Sequence, residues 1–215
     1  VSWLAAFRDH YKGIFTSDSG ITAAPGYASV NLYIARRRDE IPASARWVVS
    51  IQDWLVSQLT GEHPMTDASC AHSTGFYDPG TSSWNPGLTG RIEVTEMMPP
   101  VVPPGSKAGA LNRDFAGILK GTPVFVGMGD NQASFLAAIN NPATEALVTI
   151  GTGSQVSALV NRYRLVPGLD TRPFAGDRFL LVGAPLCGGR AYAMMRDFIR
   201  EIGVRVFENE IDEPS

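Results

Sequence analysis

Residues 122–139 read TPVFVGMGDNQASFLAAI, and residues 146–159 read ALVTIGTGSQVSAL. Two apolar runs each end in a glycine turn. Val124 to Val126 reads as a buried strand broken by Gly127 and Gly129, and Asp130 then opens a helix that buries Phe135, Leu136 and Ile139. Leu147 to Ile150 reads as a second strand, Gly151-Thr152-Gly153 as a tight turn, and Val156 to Leu159 as the return. One turn offers a carboxylate at a helix start. The other offers backbone N–H groups and a hydroxyl in a glycine loop. A carboxylate beside a phosphate cradle is what transfer of a phosphoryl group to an alcohol requires.

Each feature also has a plainer explanation. Asp130 suits an N-cap as well as a catalytic carboxylate, and the two roles are compatible. A helix N-terminus favours the charged form, so Asp130 would orient a hydroxyl rather than deprotonate it beforehand. Asn131 and Gln132 could bond further hydroxyls of a polyol, or simply face solvent in a first helical turn. Gly151-Thr152-Gly153 could gather N–H groups around an anion or be an ordinary hairpin turn. It is neither a P-loop nor a dinucleotide fingerprint, because no Lys follows and no helix starts after it. Gly188-Gly189 is a third anion seat, or a helix start packed closely on a strand.

Working outward, Trp3, Leu4, Phe7, Tyr11 and Ile14 predict an amphipathic helix, and Ser17 to Gly26 a loop. A second helix is expected over Ala28 to Arg37, ended by the basic run Arg36 to Arg38. A third is expected over Ser50 to Leu59, with Ser50 as cap, Asp53 in the capping box, Gly61 as stop, and Trp54, Leu55 and Leu59 buried. His63 and His72 lack partners at metal-ligand spacing. Asp78-Pro79-Gly80 is a turn, Pro99 to Gly105 an extended surface connector, and Asn140-Asn141-Pro142 a domain boundary. Arg178 to Gly183 predicts a strand. Pro185-Leu186-Cys187 leads to a helix over Arg190 to Ile202 with Tyr192, Met195, Phe198, Ile199 and Ile202 on its apolar face, and the acidic tail from Glu208 is expected to fray.

The net charge of −3 gives no basic field for nucleic acid. The two cysteines, far apart in sequence, suit a reducing cytoplasm better than a disulfide framework. No apolar run of about 18 residues is present to span a membrane.

The turn at 129–132, Ile-Gly-Thr-Gly at 150–153, Gly-Gly-Arg-Ala at 188–191, Ile51 to Leu55 with Leu59 to Gly61, and the stretch from Asp67 to Tyr77 together resemble the FGGY carbohydrate kinases. Order and spacing match over most of the chain. Within that family the likeness is greatest to the sedoheptulokinases, carried by Gly26 to Ala28, Ser50 to Asp53, Gly129 to Ser134 and Pro185 to Tyr192. The resemblance implies an α/β, actin-like (ribonuclease H-like) ATPase fold, with parts of two domains around a cleft. Residues 1–141 would be the C-terminal part of the sugar-binding domain, and 142–215 the N-terminal part of the nucleotide-binding domain. It implies ATP and Mg2+, and transfer of the γ-phosphoryl group to a ketose hydroxyl, O7 of sedoheptulose first. Asp130 would be the base, Asn131 and Gln132 would contact sugar, and Gly151, Thr152, Gly153 and Gly189 would lie against the nucleotide. Ala193 stands where some members place a longer polar nucleotide contact.

The family's opening Asp-x-Gly-Thr phosphate loop and its later adenine-holding glycine loop have no match. Asp18-Ser19-Gly20-Ile21 lacks the Thr and a preceding strand. The expectation is therefore the middle of a kinase, inactive on its own. The competing expectations are a non-catalytic sugar- or nucleotide-binding module, and an actin-like structural or chaperone ATPase.

Overall fold

Side-chain caps set where two of the first three helices begin in the computed structural model, which describes residues 2–11, 21, 23–184 and 188–207. Helix α1 (Trp3–His10) starts at Ser2, whose hydroxyl oxygen accepts the Ala5 N–H at 3.2 Å. Helix α2 spans Ala28–Arg37, as the sequence predicts. Helix α3 (Ile51–Thr60) is capped by Ser50, which accepts the Asp53 N–H at 3.2 Å and donates to the Asp53 carboxylate at 2.8 Å. Gly61 ends it at φ 78°, a left-handed conformation that glycine adopts without a Cβ penalty.

The chain continues through β1 (Thr66–Asp67), α4 (Ala68–Ser73), β2 (Tyr77–Asp78), β3 (Ser83–Trp84), α5 (Pro86–Arg91), β4 (Val101–Val102), β5 (Lys107–Ala110) and β6 (Pro123–Phe125). Then come α6 (Asp130–Ala138), β7 (Ala146–Ile150), β8 (Ser154–Val160), β9 (Asp170–Pro173), β10 (Phe179–Gly183) and α7 (Gly189–Phe207). β1 pairs with β4 in parallel, while β2–β3 and β5–β6 are antiparallel pairs. The Asp78 turn between β2 and β3 is held by its carboxylate, which accepts the Gly80 N–H at 2.8 Å. The last four strands form one antiparallel sheet in the order β7-β8-β10-β9.

Two apolar clusters hold these layers. Phe7, Tyr11, Val30, Tyr33, Phe76 and Leu88 centre the first. Phe135 on α6 meets Phe174, Leu180 and Val182 in the second, and the Phe135 and Phe174 rings sit edge-on at 5.7 Å. Burying such a side chain is worth about 1.5–3 kcal/mol, so Phe135 fastens α6 to the four-stranded sheet. Among the described residues no helix is long and apolar enough to cross a membrane.

Several expectations need correction. The strand expected over Val124 to Val126 forms at Pro123–Phe125, and Val126 just beyond it is buried, but Phe125 is 54% exposed. Leu136 is exposed beside the buried Phe135. On α3 the buried residues are Asp53 and Thr60, whereas Trp54 and Leu55 face solvent. On α7, Tyr192, Met195, Phe198 and Ile199 are exposed and Gly203 is the buried residue. Periodicity shows that a helix has an apolar stripe, but tertiary packing decides which stripe is covered. The connector at Pro99 to Gly105 contains β4, and its Pro99 is buried. Ile14, the string Asp18 to Gly20, the link Pro185 to Cys187, the tail from Glu208 and half of the Ser17 to Gly26 loop lie outside the described residues.

Candidate functional site

Asp67 is fully buried at the head of α4. Its carboxylate accepts the Cys70 N–H at 2.9 Å and the Ser69 hydroxyl at 2.8 and 2.9 Å. The Ser69 oxygen in turn accepts the Gly129 N–H at 2.8 Å. The cap of α4 thereby fixes the residue that opens α6. A Cβ on Gly129 would come within 2.5 Å of Gln132 Oε1, the end of a flexible side chain that would have to swing aside. From across the turn, Gln52 Nε2 donates to Cys70 Sγ and, at 3.4 Å, to the Met128 carbonyl.

This frame puts Asp130, Asn131 and Gln132 in the first turn of α6. Asp130 is exposed, and its Oδ1 accepts the Asn131 N–H at 2.7 Å. Asn131 Nδ2 donates to Ser157 on β8 at 3.2 Å, and its buried Oδ1 has no hydrogen-bond partner among the described residues. Gln132 is buried, and its Nε2 donates to the Pro173 carbonyl on β9 at 3.0 Å. All three line a cavity of about 360 Å³, together with Gln52, His72 and Arg172.

Sequence reasoning did not assign His72 or Arg172 to this cavity. Within β9, Asp170 and Arg172 are two apart and so share a face. Asp170 Oδ2 accepts from Arg172 Nε at 2.7 Å, and Arg172 Nη1 donates to Gln155 Oε1 at 3.2 Å. His72 Nε2 stands 3.8 Å from Asp170 Oδ1, too far for a hydrogen bond. Burial alone would raise the Asp170 carboxyl, but His72 and Arg172 outweigh it and hold it at about 2. Burial raises Asp53, against the pull of the Ser50 and Thr66 hydroxyls. Burial also pushes the Cys70 thiol far up, aided by the Asp67 carboxylate, so Cys70 is an inert wall group rather than a nucleophile.

The glycine residues gather elsewhere. β7 and β8 form a hairpin whose loop is Gly151-Thr152-Gly153, closed by the Gly151 N–H donating to the Gly153 carbonyl at 2.8 Å. The Gly189 and Arg190 N–H groups donate to the Gly151 and Thr152 carbonyls at 2.8 and 3.3 Å. A Cβ on Gly188 would lie 2.3 Å from the Gly153 carbonyl carbon. Gly151, Thr152, Gly153 and Gly189 are thus one group, apart from the three residues on α6. β8 runs between them, from the turn at Ser154 to the Asn131 partner Ser157. No group of three or more His, Cys, Asp or Glu able to hold a metal ion occurs among the described residues.

Residues 7–137 match the FGGY family of carbohydrate kinases, N-terminal domain. The chain belongs to the FGGY family of carbohydrate kinases. It is 26% identical over 208 residues to sedoheptulokinase of Mus musculus, a match covering 90% of this chain and 44% of that protein. It is 31% identical over 158 residues to autoinducer-2 kinase of Enterobacter sp. (strain 638), covering 72% of this chain and 30% of that one. The fold of this FGGY chain matches ligand-bound xylulose kinase from Lactobacillus acidophilus with a TM-score of 0.74 at 19% identity, over 97% of this chain and 43% of that one. Its architecture is accordingly the α/β, actin-like fold of the family. The chain spans less than half the length of these relatives.

Proposed function

We propose that this chain carries the acceptor cavity and the base of an ATP-dependent carbohydrate kinase acting on a ketose. The observation behind the reading is the polar cavity in which Asp130 stands at the head of α6 beside Asn131, Gln132 and Arg172. The likeness to sedoheptulokinase supports sedoheptulose as the first acceptor to try, phosphorylated to the 7-phosphate. Asp130 orients the attacking hydroxyl and takes its proton as the oxygen–phosphorus bond forms. The bond from the γ-phosphorus to the bridging oxygen breaks, and ADP leaves with that electron pair. The free Asn131 Oδ1 accepts from a further hydroxyl, and Gln132 meets the sugar through its carbonyl, since its Nε2 is engaged by Pro173.

The nucleotide fits the second group. Gly151, Thr152 and Gly153 are exposed, with no side chains at 151 and 153 and a hydroxyl at 152. Gly189 supports them, because its N–H and that of Arg190 are used by the turn itself. Mg2+, with no cluster of its own among the described residues, would arrive on the phosphates and neutralise their charge. In this reading residues 1–141 end the sugar-binding domain and 142–215 begin the nucleotide-binding domain. The unpaired, buried Cys70 suits a cytoplasmic setting.

ADP release from magnesium ATP tests the proposal, with sedoheptulose, xylulose, gluconate and glycerol as acceptors. The chain and a version lengthened at both ends are compared, each with and without Asp130→Asn. Turnover is expected in the longer version, strongest with sedoheptulose, and reduced about 10²–10⁴-fold in the variant. The chain alone should bind sugar without turning it over, for want of the Asp-x-Gly-Thr loop. Turnover by the chain alone, or an undiminished rate in the variant, would overturn these assignments. Sugar binding with no turnover in either version would replace the kinase with a non-catalytic binding module.

A further inference from the structure

His72 is only 4% exposed, yet neither of its ring nitrogens has a hydrogen-bond partner among the described residues. A buried imidazole left in that state is costly unless something else completes it. Asn131, whose buried Oδ1 is likewise without a partner among the described residues, lines the same cavity. Arg172 uses Nε on Asp170 and Nη1 on Gln155, which leaves its Nη2 without a hydrogen bond among the described residues. These three residues come from α4, α6 and β9, and all line one hollow of about 360 Å³. Unsatisfied polar atoms converging on a preformed cavity mark the place of a ligand's own polar atoms.

We infer that His72 and Arg172, both set against Asp170, form a second acceptor subsite that holds sugar oxygens other than the one facing Asp130, and so selects longer neutral ketoses over short polyols. The inference rests on the kinase reading above for its acceptor class. An imidazole can both donate to and accept from hydroxyls, and a guanidinium Nη2 donates to a carbonyl or hydroxyl oxygen. Asp170 balances the charge of Arg172, so this wall carries no spare positive charge for a carboxylate. A three-carbon polyol held at Asp130 and Asn131 has fewer oxygens left for the second wall than a seven-carbon ketose has. His72 and Arg172 are positioning residues in this scheme, because neither touches the transferred group.

The test is calorimetric binding of sedoheptulose, glycerol and gluconate to the chain, to His72→Gln and to Arg172→Gln, with thermal melting to confirm folding. Loss of a hydrogen bond to a charged group is worth about tenfold or more in affinity. The sedoheptulose-to-glycerol affinity ratio is therefore expected to fall about tenfold in Arg172→Gln, and to fall in His72→Gln. Asp170→Asn should shift preference toward gluconate by freeing the Arg172 charge. If Arg172→Gln does not fold, Arg172→Lys keeps a cation beside Asp170 with a different reach, and the same fall in ratio is expected. Equal losses for both neutral ligands, or no change in the ratio, would overturn the subsite. The ADP-release assay bears on the kinase reading alone, so a falling ratio with no turnover in the lengthened version would sink that reading and leave the subsite standing.

Discussion

The two glycine turns of this chain are built in opposite ways. The turn before Asp130 is held by side chains: Ser69 accepts from Gly129, Asp67 holds Ser69, and Gln52 reaches the Met128 carbonyl. The turn at 151–153 is held by backbone: its carbonyls take the first N–H groups of α7, and Gly188 lies flat against Gly153. The first turn should fail when a polar atom is removed, and the second when a carbon is added.

The largest effect on stability is expected at the second turn. In Gly188→Ala the new Cβ would meet the Gly153 carbonyl carbon at 2.3 Å, and neither partner is a flexible side chain that could swing away. A cost of about 3 kcal/mol is expected, read from urea unfolding. A stability unchanged from the parent would mean that the close approach of the two segments is not what holds the loop.

Acid should come next, and it acts on the cavity wall at Asp170. The Asp170 carboxyl is held at about 2, below its ordinary 3.8. Its contribution is present in full above the unfolded value and is lost as pH falls from about 4 toward 2. The shift corresponds to roughly 2 kcal/mol. Asp170→Asn should flatten that part of the stability–pH curve, and an identical curve for parent and variant would refute the assignment. The smallest effect is expected at the first turn. Ser69→Ala strands the Gly129 N–H and removes a donor from Asp67, at a cost of about 1 kcal/mol. Its sugar affinity should fall too, since Gly129 opens the helix that carries Asp130. Melting and calorimetry on one sample would separate the two.

Local chemistry was legible in the sequence. Ser50 and Gly61 bound α3, and the run from Leu147 to Leu159 announces a hairpin, because caps and turns depend on neighbours along the chain. Burial was not. Helix α4 is six residues long and includes Ser69, Cys70 and His72, all buried, whereas the apolar stripe of α7 is open to solvent. Asp130, Asn131 and Gln132 could be read as a unit because they are consecutive. His72 and Arg172 could not, since pairing of β9 with β10 is what carries Arg172 to the cavity wall. Chemistry assembled from three distant segments leaves no mark in any one of them.

Helix α6 is pinned at its head to α4 through Ser69 and along its side to the four-stranded sheet through Gln132 and Phe135. A rod fastened to two bodies works as a strut. If the sheet shifts against α4, the rod must tilt, and the carboxylate at its tip travels the arc. The aim of Asp130 is then a readout of how the layers of the protein sit against each other, and a change far from the cavity could spoil it without touching a single sugar contact.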